Sequence, residues 1–264
     1  MQKNDWVSAG TTDIGTVRKV NEDNLLDASP VGMWCVADGM GGHAKGDLAS
    51  QMIVDYLSVL NRSELYPLRA EQIKERLQAV NERLLEISAT EAGGSVIGST
   101  VVVLIFDQFN AHCIWAGDSR IYRLRNNALQ QLTRDHSQVE DMVQAGLLAP
   151  EDAESHPASN VVTRAVGAND ELEIDVLSFP LQENDLFMLC SDGLNKVVSN
   201  QEMEDLLKTC PLEDAPKTLI DMALVRQARD NITVITVCNQ PRQNVHHNVM
   251  DTLPLDDTLP LRRY

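Results

Sequence analysis

The strongest constraint on this chain is one unbroken run, Ser99-Thr-Val-Val-Val-Leu-Ile-Phe106. Branched β-carbons favour extended backbone, and a run with no polar alternation belongs to a strand buried in the middle of a sheet. Shorter runs of the same kind recur. Gly32 to Ala37 predicts a strand that ends at Asp38, and His112 to Ala116 and Ile121 to Leu124 predict two more. Asn126-Asn127 then turns the chain into Leu129 to Leu132, which predicts a hairpin. Leu186 to Cys190 and Ile232 to Val237 complete the set.

Between these runs lie helical periods. Asp47 to Leu60 carries Leu48, Met52, Ile53, Tyr56, Leu57 and Leu60 on one face. Glu71 to Ile87 repeats the pattern through Ile73, Leu77, Val80, Leu84 and Ile87, and both stripes are assigned to core packing. Glu202 to Lys208 and Asp214 to Ala228 predict two later helices, and Val139 to Ala145 a short one in the polar stretch from Asp135 to Pro157. Turns, rather than regular helical crossovers, separate most strands. That argues against a doubly wound parallel sheet and for an α+β chain: antiparallel sheets packed on each other, with helices outside.

The 264 residues are 43% hydrophobic but only 4% aromatic, so aliphatic side chains must build the core. No stretch of about 18 uncharged apolar residues exists to span a membrane. Met1 to Asp5 is polar and lacks the apolar centre of a secretory signal. The five cysteines contain no CxxC pair, and four lie in strand-like runs, which predicts reduced core thiols in a cytoplasmic protein. A net charge of −17 disfavours binding to a nucleic-acid backbone. The acidic surplus has two readings, a solvated surface or carboxylates converging on a cation. The period is lost at Gln240, so residues 1–239 are expected to form the domain and 240–264 a tail with Asp-Thr-Leu-Pro-Leu repeated at Asp251 and Asp257.

The positions of the acids bear on those two readings. Val-Ala-Asp38-Gly, Ala-Gly-Asp118-Ser and Cys-Ser-Asp192-Gly each follow an apolar strand, and Ala-Arg-Asp230-Asn precedes one. A single Asp-Gly is an ordinary turn. Four such sites at strand margins can converge on one rim. Clustered carboxylates raise one another's pKa, and a hard divalent cation relieves the conflict. Oxygen ligands without a histidine and cysteine set favour Mg²⁺ or Mn²⁺ over zinc. A carboxylate shared by two cations would set a water between them, ready to act as hydroxide near neutral pH. Arg18 has the fork that grips phosphate, and Glu22 and Asp23 add oxygens beside it. Gly39, Gly41 and Gly42 let backbone approach a ligand, and a carbonyl at Gly39 can coordinate a cation. His43 follows as a candidate proton donor to a leaving alkoxide, or as a helix-end histidine.

In this order the motifs resemble the metal-dependent protein phosphatase family, also called PPM or type 2C, in its bacterial form. The match runs through Arg18-x-x-Asn-Glu-Asp23, Asp38-Gly-Met-Gly-Gly42, Gly98-Ser-Thr100, Gly117-Asp-Ser-Arg120, Asp135-His-Ser137, Thr163-Arg-Ala-Val-Gly167, Ser191-Asp-Gly-Leu194 and Asp230-Asn-Ile-Thr233. The resemblance implies a four-layer αββα sandwich that hydrolyses phosphoserine and phosphothreonine in proteins, opposing a bacterial Ser/Thr kinase. It implies two Mn²⁺ or Mg²⁺ ions and an attacking hydroxide that bridges them. Asp38 would bridge the ions, the Gly39 carbonyl would serve one, Asp192 and Asp230 the other, and Glu22 that second ion or its waters. Arg18 would hold the phosphate, and Asp118 with Asp192 would take a third, weaker ion. The segment from Asp135 to Thr163 corresponds to the family's variable flap. Met40 stands where many eukaryotic relatives have a histidine proposed as the general acid. The proton donor is therefore His43, a water, or no protein group. A pseudophosphatase that only binds partners would be expected to lose ligands, and here the set is intact. Phosphorylated proteins are the expected partners of a monomer that contacts neither nucleic acid nor membrane. Thr252 and Thr258, each with leucine three residues on, would suit a forkhead-associated domain if phosphorylated.

Overall fold

The structure is a computed structural model that describes residues 6–41, 45–62, 67–91 and 96–239. Two antiparallel sheets pack face to face. The first holds β1 (Val7–Asp13), β11 (Ile232–Cys238), β10 (Leu186–Cys190), β7 (Arg120–Arg125) and β8 (Ala128–Gln131), in that order across the sheet. The second holds β2 (Asp23–Ala28), β3 (Met33–Gly41), β5 (Val101–Phe106), β6 (Asn110–Ala116) and β9 (Asp175–Pro180), with β4 (Ile97–Ser99) paired to the end of β3. Helices α1 (Gly46–Ser58) and α2 (Ala70–Glu91) cover the second sheet. The short α3 (Gln138–Gln144) lies between β8 and β9, and the short α4 (Asp192–Asn195) follows β10. Helices α5 (Asn200–Thr209) and α6 (Ala215–Val225) cover the first sheet. The expected α+β sandwich with helices on both sides is what the chain forms.

Strand β5 explains why its run has no polar alternation. Val102, Leu104 and Phe106 point between the sheets, toward Trp34, Phe187 and Ile235. Val101, Val103 and Ile105 point outward, beneath Ile53, Leu77 and Leu84 of α1 and α2. Both faces are dry, so both must be apolar. On the other sheet, Met188, Cys190 and Val234 pack against Met203, Leu207 and Leu219 of α5 and α6.

The β7–β8 hairpin turns on Asn126 and Asn127, both at positive φ (52° and 61°), as a two-residue turn between twisted strands requires. The α2 stripe is buried at all five predicted positions. The α1 stripe is largely as expected: Ile53, Leu57 and Leu60 are buried and Met52 and Tyr56 pack against the same core, with Ala49 added to the face and Leu48, 39% exposed, turned away from it. Strands β1, β2 and β9 were not anticipated. Each lies at a sheet edge and carries exposed or half-exposed positions, so none has a continuous apolar run. Among the described residues no helix is long and apolar enough to cross a membrane. The predicted tail, with Thr252 and Thr258, lies outside the described residues.

Candidate metal and phosphate site

The antiparallel register brings one end of the sandwich together around a cleft of about 710 Å³. Its lining includes Arg18, Glu22, Asp38, Gly39, Asp118, Asp192 and Asp230, the described residues predicted for the site. His43 lies outside the described residues. Asp38 sits within β3, opposite Asp23 of β2. Asp118 occupies the short break between β6 and β7 and is 6% exposed. Asp192 ends no strand; it is the first residue of the short helix α4 (Asp192–Asn195), one residue after Ser191 leaves β10. Asp230 stands just before β11.

Local packing fixes these positions. A Cβ at Gly39 would lie 2.1 Å from the Gly46 carbonyl oxygen and 2.6 Å from that of Glu22, so only glycine lets β3 pass this close to α1. The Gly39 amide donates to the Glu22 carbonyl at 3.0 Å, and the Gly46 amide donates to Glu22 Oε1 at 3.1 Å. Asn231 accepts from the Glu22 amide at 2.8 Å and donates to the carbonyls of Ile14 and Val20, holding the Arg18–Glu22 loop over the cleft. The Thr100 amide donates to the Asp38 carbonyl at 2.9 Å, and the Thr100 hydroxyl lies 2.7 Å from that of Ser119.

Negative charge dominates the site. Burial pushes the Asp38 carboxyl well above the usual range, and Asp23, Asp192, Asp118 and Asp230 add repulsion. Burial, then Asp192 and Asp135, raise Asp118 to about 7. Asp23 also rises to about 7, chiefly through burial, although Ser191 and Thr233 donate to its Oδ2 at 2.7 and 2.8 Å. Burial raises Glu22 as well. Two protein cations offset part of this charge. Arg18 Nη2 donates to Asp230 Oδ2 at 2.8 Å, and Lys196 donates to Asp192 Oδ2. For Lys196, burial works against the charge, but Asp192, followed by Asp118 and Asp230, outweighs it and raises the pKa.

Among the described residues no three His, Cys, Asp or Glu side chains are already drawn to coordinating distance of one point. The donor chemistry nevertheless fits a hard divalent cation. The described residues lining the cleft present carboxylates and carbonyls, with no histidine or cysteine among them. Asp192 Oδ1 and Asp23 Oδ1 are buried with no hydrogen-bond partner, a costly state that a cation ligated by such an oxygen would relieve. Met40, which also lines the cleft, has no proton to give.

Several contributors escaped the sequence reading. Lys196 and Asn160 line the cleft, and Ser191, Thr233 and Asn231 fix its walls from behind. Lys196 had one signal available: it follows Asp192 by four residues, a single turn once that segment is seen as helix rather than strand end. His136, assigned no chemistry, is 2% exposed, accepts from the Gly117 amide at 3.2 Å and stacks on Trp115, as a structural histidine does.

Residues 16–225 match the family described as Protein phosphatase 2C. Serine/threonine phosphatase stp of Listeria welshimeri is 39% identical over 236 residues, spanning 86% of this chain and 93% of that protein. PppA, a key regulatory component of T6SS in Pseudomonas aeruginosa, superposes with a TM-score of 0.80 at 42% identity, covering 88% of this chain and 96% of that one. The catalytic domain of the serine/threonine protein phosphatase PstP, solved in complex with two manganese ions, gives a TM-score of 0.80 at 29% identity over 89% of this chain and 98% of that one.

Proposed function

Because the chain belongs to the protein phosphatase 2C family, as a bacterial serine/threonine phosphatase, we propose that it uses two divalent cations, Mn²⁺ or Mg²⁺, to hydrolyse phosphoserine and phosphothreonine in proteins, opposing a Ser/Thr kinase. The observation that carries this reading is the surplus of buried carboxylates around one cleft, with an Asp192 oxygen left without a partner. Asp38 would contact both ions, the Gly39 carbonyl one of them, and Asp192, Asp230 and Glu22 the other. Asp118 with Asp192 would take a weaker third. Bound there, the ions supply neutralisation of phosphoryl charge and acidification of the water that attacks phosphorus.

The protein's own groups do the rest. Arg18 is half-exposed at the mouth of the cleft, held by Asp230 on one side, with guanidinium donors left for a phosphate. Thr100 and Ser119 brace the Asp38 backbone so that its carboxylate does not swing with the substrate. Met40 contributes an apolar wall and no acid, so protonation of the leaving oxygen falls to His43 or to solvent. The catalytic domain would be residues 1–239, with 240–264 a tail whose threonines, once phosphorylated, would bind a forkhead-associated domain. The similarity to PppA supports a regulatory role in protein secretion.

The test is Asp38→Ala, assayed on a phosphothreonine peptide with Mn²⁺. Turnover should fall by about a hundred- to a thousandfold, as when a central electrostatic group is removed. Undiminished turnover would overturn the metal assignment. A phosphoprotein should also be a better substrate than p-nitrophenyl phosphate; the reverse preference would point to a small-ester hydrolase.

A further inference from the structure

A second cavity, of about 310 Å³, lies beside the cleft under the flap segment, and the two share one wall: Asp118, Asn160, Asp192 and Lys196. Lys196 caps the C-terminal end of α4, one turn after Asp192. Its ammonium donates to Asp192 Oδ2 and, at 2.6 Å, to Asn160 Oδ1 of the flap segment. Three other cations among the described residues, Arg18, Arg120 and Arg229, line these cavities, and two of them are already held by carboxylates. Arg120 makes a forked pair with Asp135, with contacts of 2.7 to 3.1 Å, and Arg18 is on Asp230. The remaining Asp192 oxygen is buried without a partner.

We propose that Lys196 is a positioning residue with two linked tasks: internal counter-ion at the Asp118–Asp192 end of the carboxylate cluster, and latch that holds the flap through Asn160. An ammonium and a divalent cation repel each other strongly at a few ångströms. A cation taken up by Asp118 and Asp192 therefore loosens Lys196 from Asp192, and with it the tie to Asn160. Uptake of the weakest ion and release of the flap become one event. The concentration of free divalent metal would then set how open the substrate-facing wall is. The inference rests on the reading of Asp118 and Asp192 as ligands.

The experiment uses the full chain and two readouts besides turnover: Mn²⁺ titration by calorimetry, and hydrogen exchange of the flap amides with and without Mn²⁺. In the unaltered protein, saturating Mn²⁺ should speed flap exchange. Lys196→Met should show the fast exchange already without metal, and should bind its weakest Mn²⁺ about tenfold more tightly, the scale of one partly exposed ion pair. Asn160→Ala should speed flap exchange and, because the ion then has no latch to break, bind its weakest Mn²⁺ somewhat more tightly, whereas a general loss of structure would weaken that binding. Lys196→Met with unaltered exchange and unaltered affinity overturns the proposal, and so does weaker Mn²⁺ binding in that variant. Asp192→Ala separates the two levels. Loss of bound Mn²⁺ supports the ligand reading. Full stoichiometry sinks that reading, while exchange in metal-free Lys196→Met still decides whether the latch exists.

Discussion

Strand β10 carries a buried aspartate just beyond each end, and the two are treated in opposite ways. Asp185, at the start, is wholly buried and meets the Arg125 guanidinium in a fork, Nε to Oδ1 at 2.6 Å and Nη2 to Oδ2 at 2.5 Å. The Gln182 amide adds a third donor at 2.9 Å. Asp192, at the finish, has one oxygen on Lys196 and the other on nothing. A buried charge with a complete set of partners serves the fold. One left incomplete costs stability and is kept where a ligand completes it. On the proposed ligand set the same strand separates a structural carboxylate from a chemical one, though each reads in sequence as an aspartate beside LFMLC.

The sharpest way to break this contrast is to remove each acid in turn. Asp192→Ala should lower turnover on a phosphothreonine peptide by about a hundred- to a thousandfold, while its metal-free melting temperature stays level or rises. Asp185→Ala should do the reverse: near-normal turnover per folded molecule, with about 3 kcal/mol of stability lost because Arg125 is stranded, measured by urea unfolding. If both variants lose activity equally and both unfold, the two ends do not differ in kind.

A smaller effect concerns pH. Asp23 and Asp118 rise to about 7 in the fold, above the ordinary carboxylate range. A carboxyl whose folded pKa exceeds its unfolded one contributes stability that is complete below the unfolded pKa. That contribution is lost as pH climbs through the folded pKa. The metal-free protein should therefore melt at a lower temperature at about pH 8 than at about pH 5.5. Saturating Mn²⁺ should flatten or invert that trend. A metal-free melting temperature that rises across this window would remove the like-charge account of the site. Smallest of all, Arg18→Lys should raise KM for phosphopeptide by about tenfold with kcat less affected, since an ammonium cannot make two parallel bonds to one phosphate.

Much of this molecule was legible in its sequence, for reasons that differ by region. Strand β5 and helix α2 announce themselves because full burial forces an unbroken run and a regular stripe. The edge strands β1, β2 and β9 are silent because water on one side permits serine, threonine and aspartate there. The aspartates of the cleft were found because each adjoins a strong apolar run. Lys196 and Asn160 were missed because they belong to a four-residue helix and a flap whose approach is purely tertiary. Leu48 was misplaced because a stripe of six apolar residues is wider than the face α1 buries.

Asp23 has a consequence for how the protein comes into being. It sits on β2 of one sheet, and its two donors, Ser191 and Thr233, belong to the other, more than 160 residues along the chain. Behind the cleft these bonds form a rivet between halves that the ribosome delivers far apart in time. A nascent chain with only the β2-β3-β5-β6-β9 sheet formed owns Asp38 and Asp118 but lacks Asp192, Asp230 and the rivet. On the proposed ligand set, dephosphorylation has to wait until synthesis has passed β11, and a truncated chain ending before β10 should be inactive.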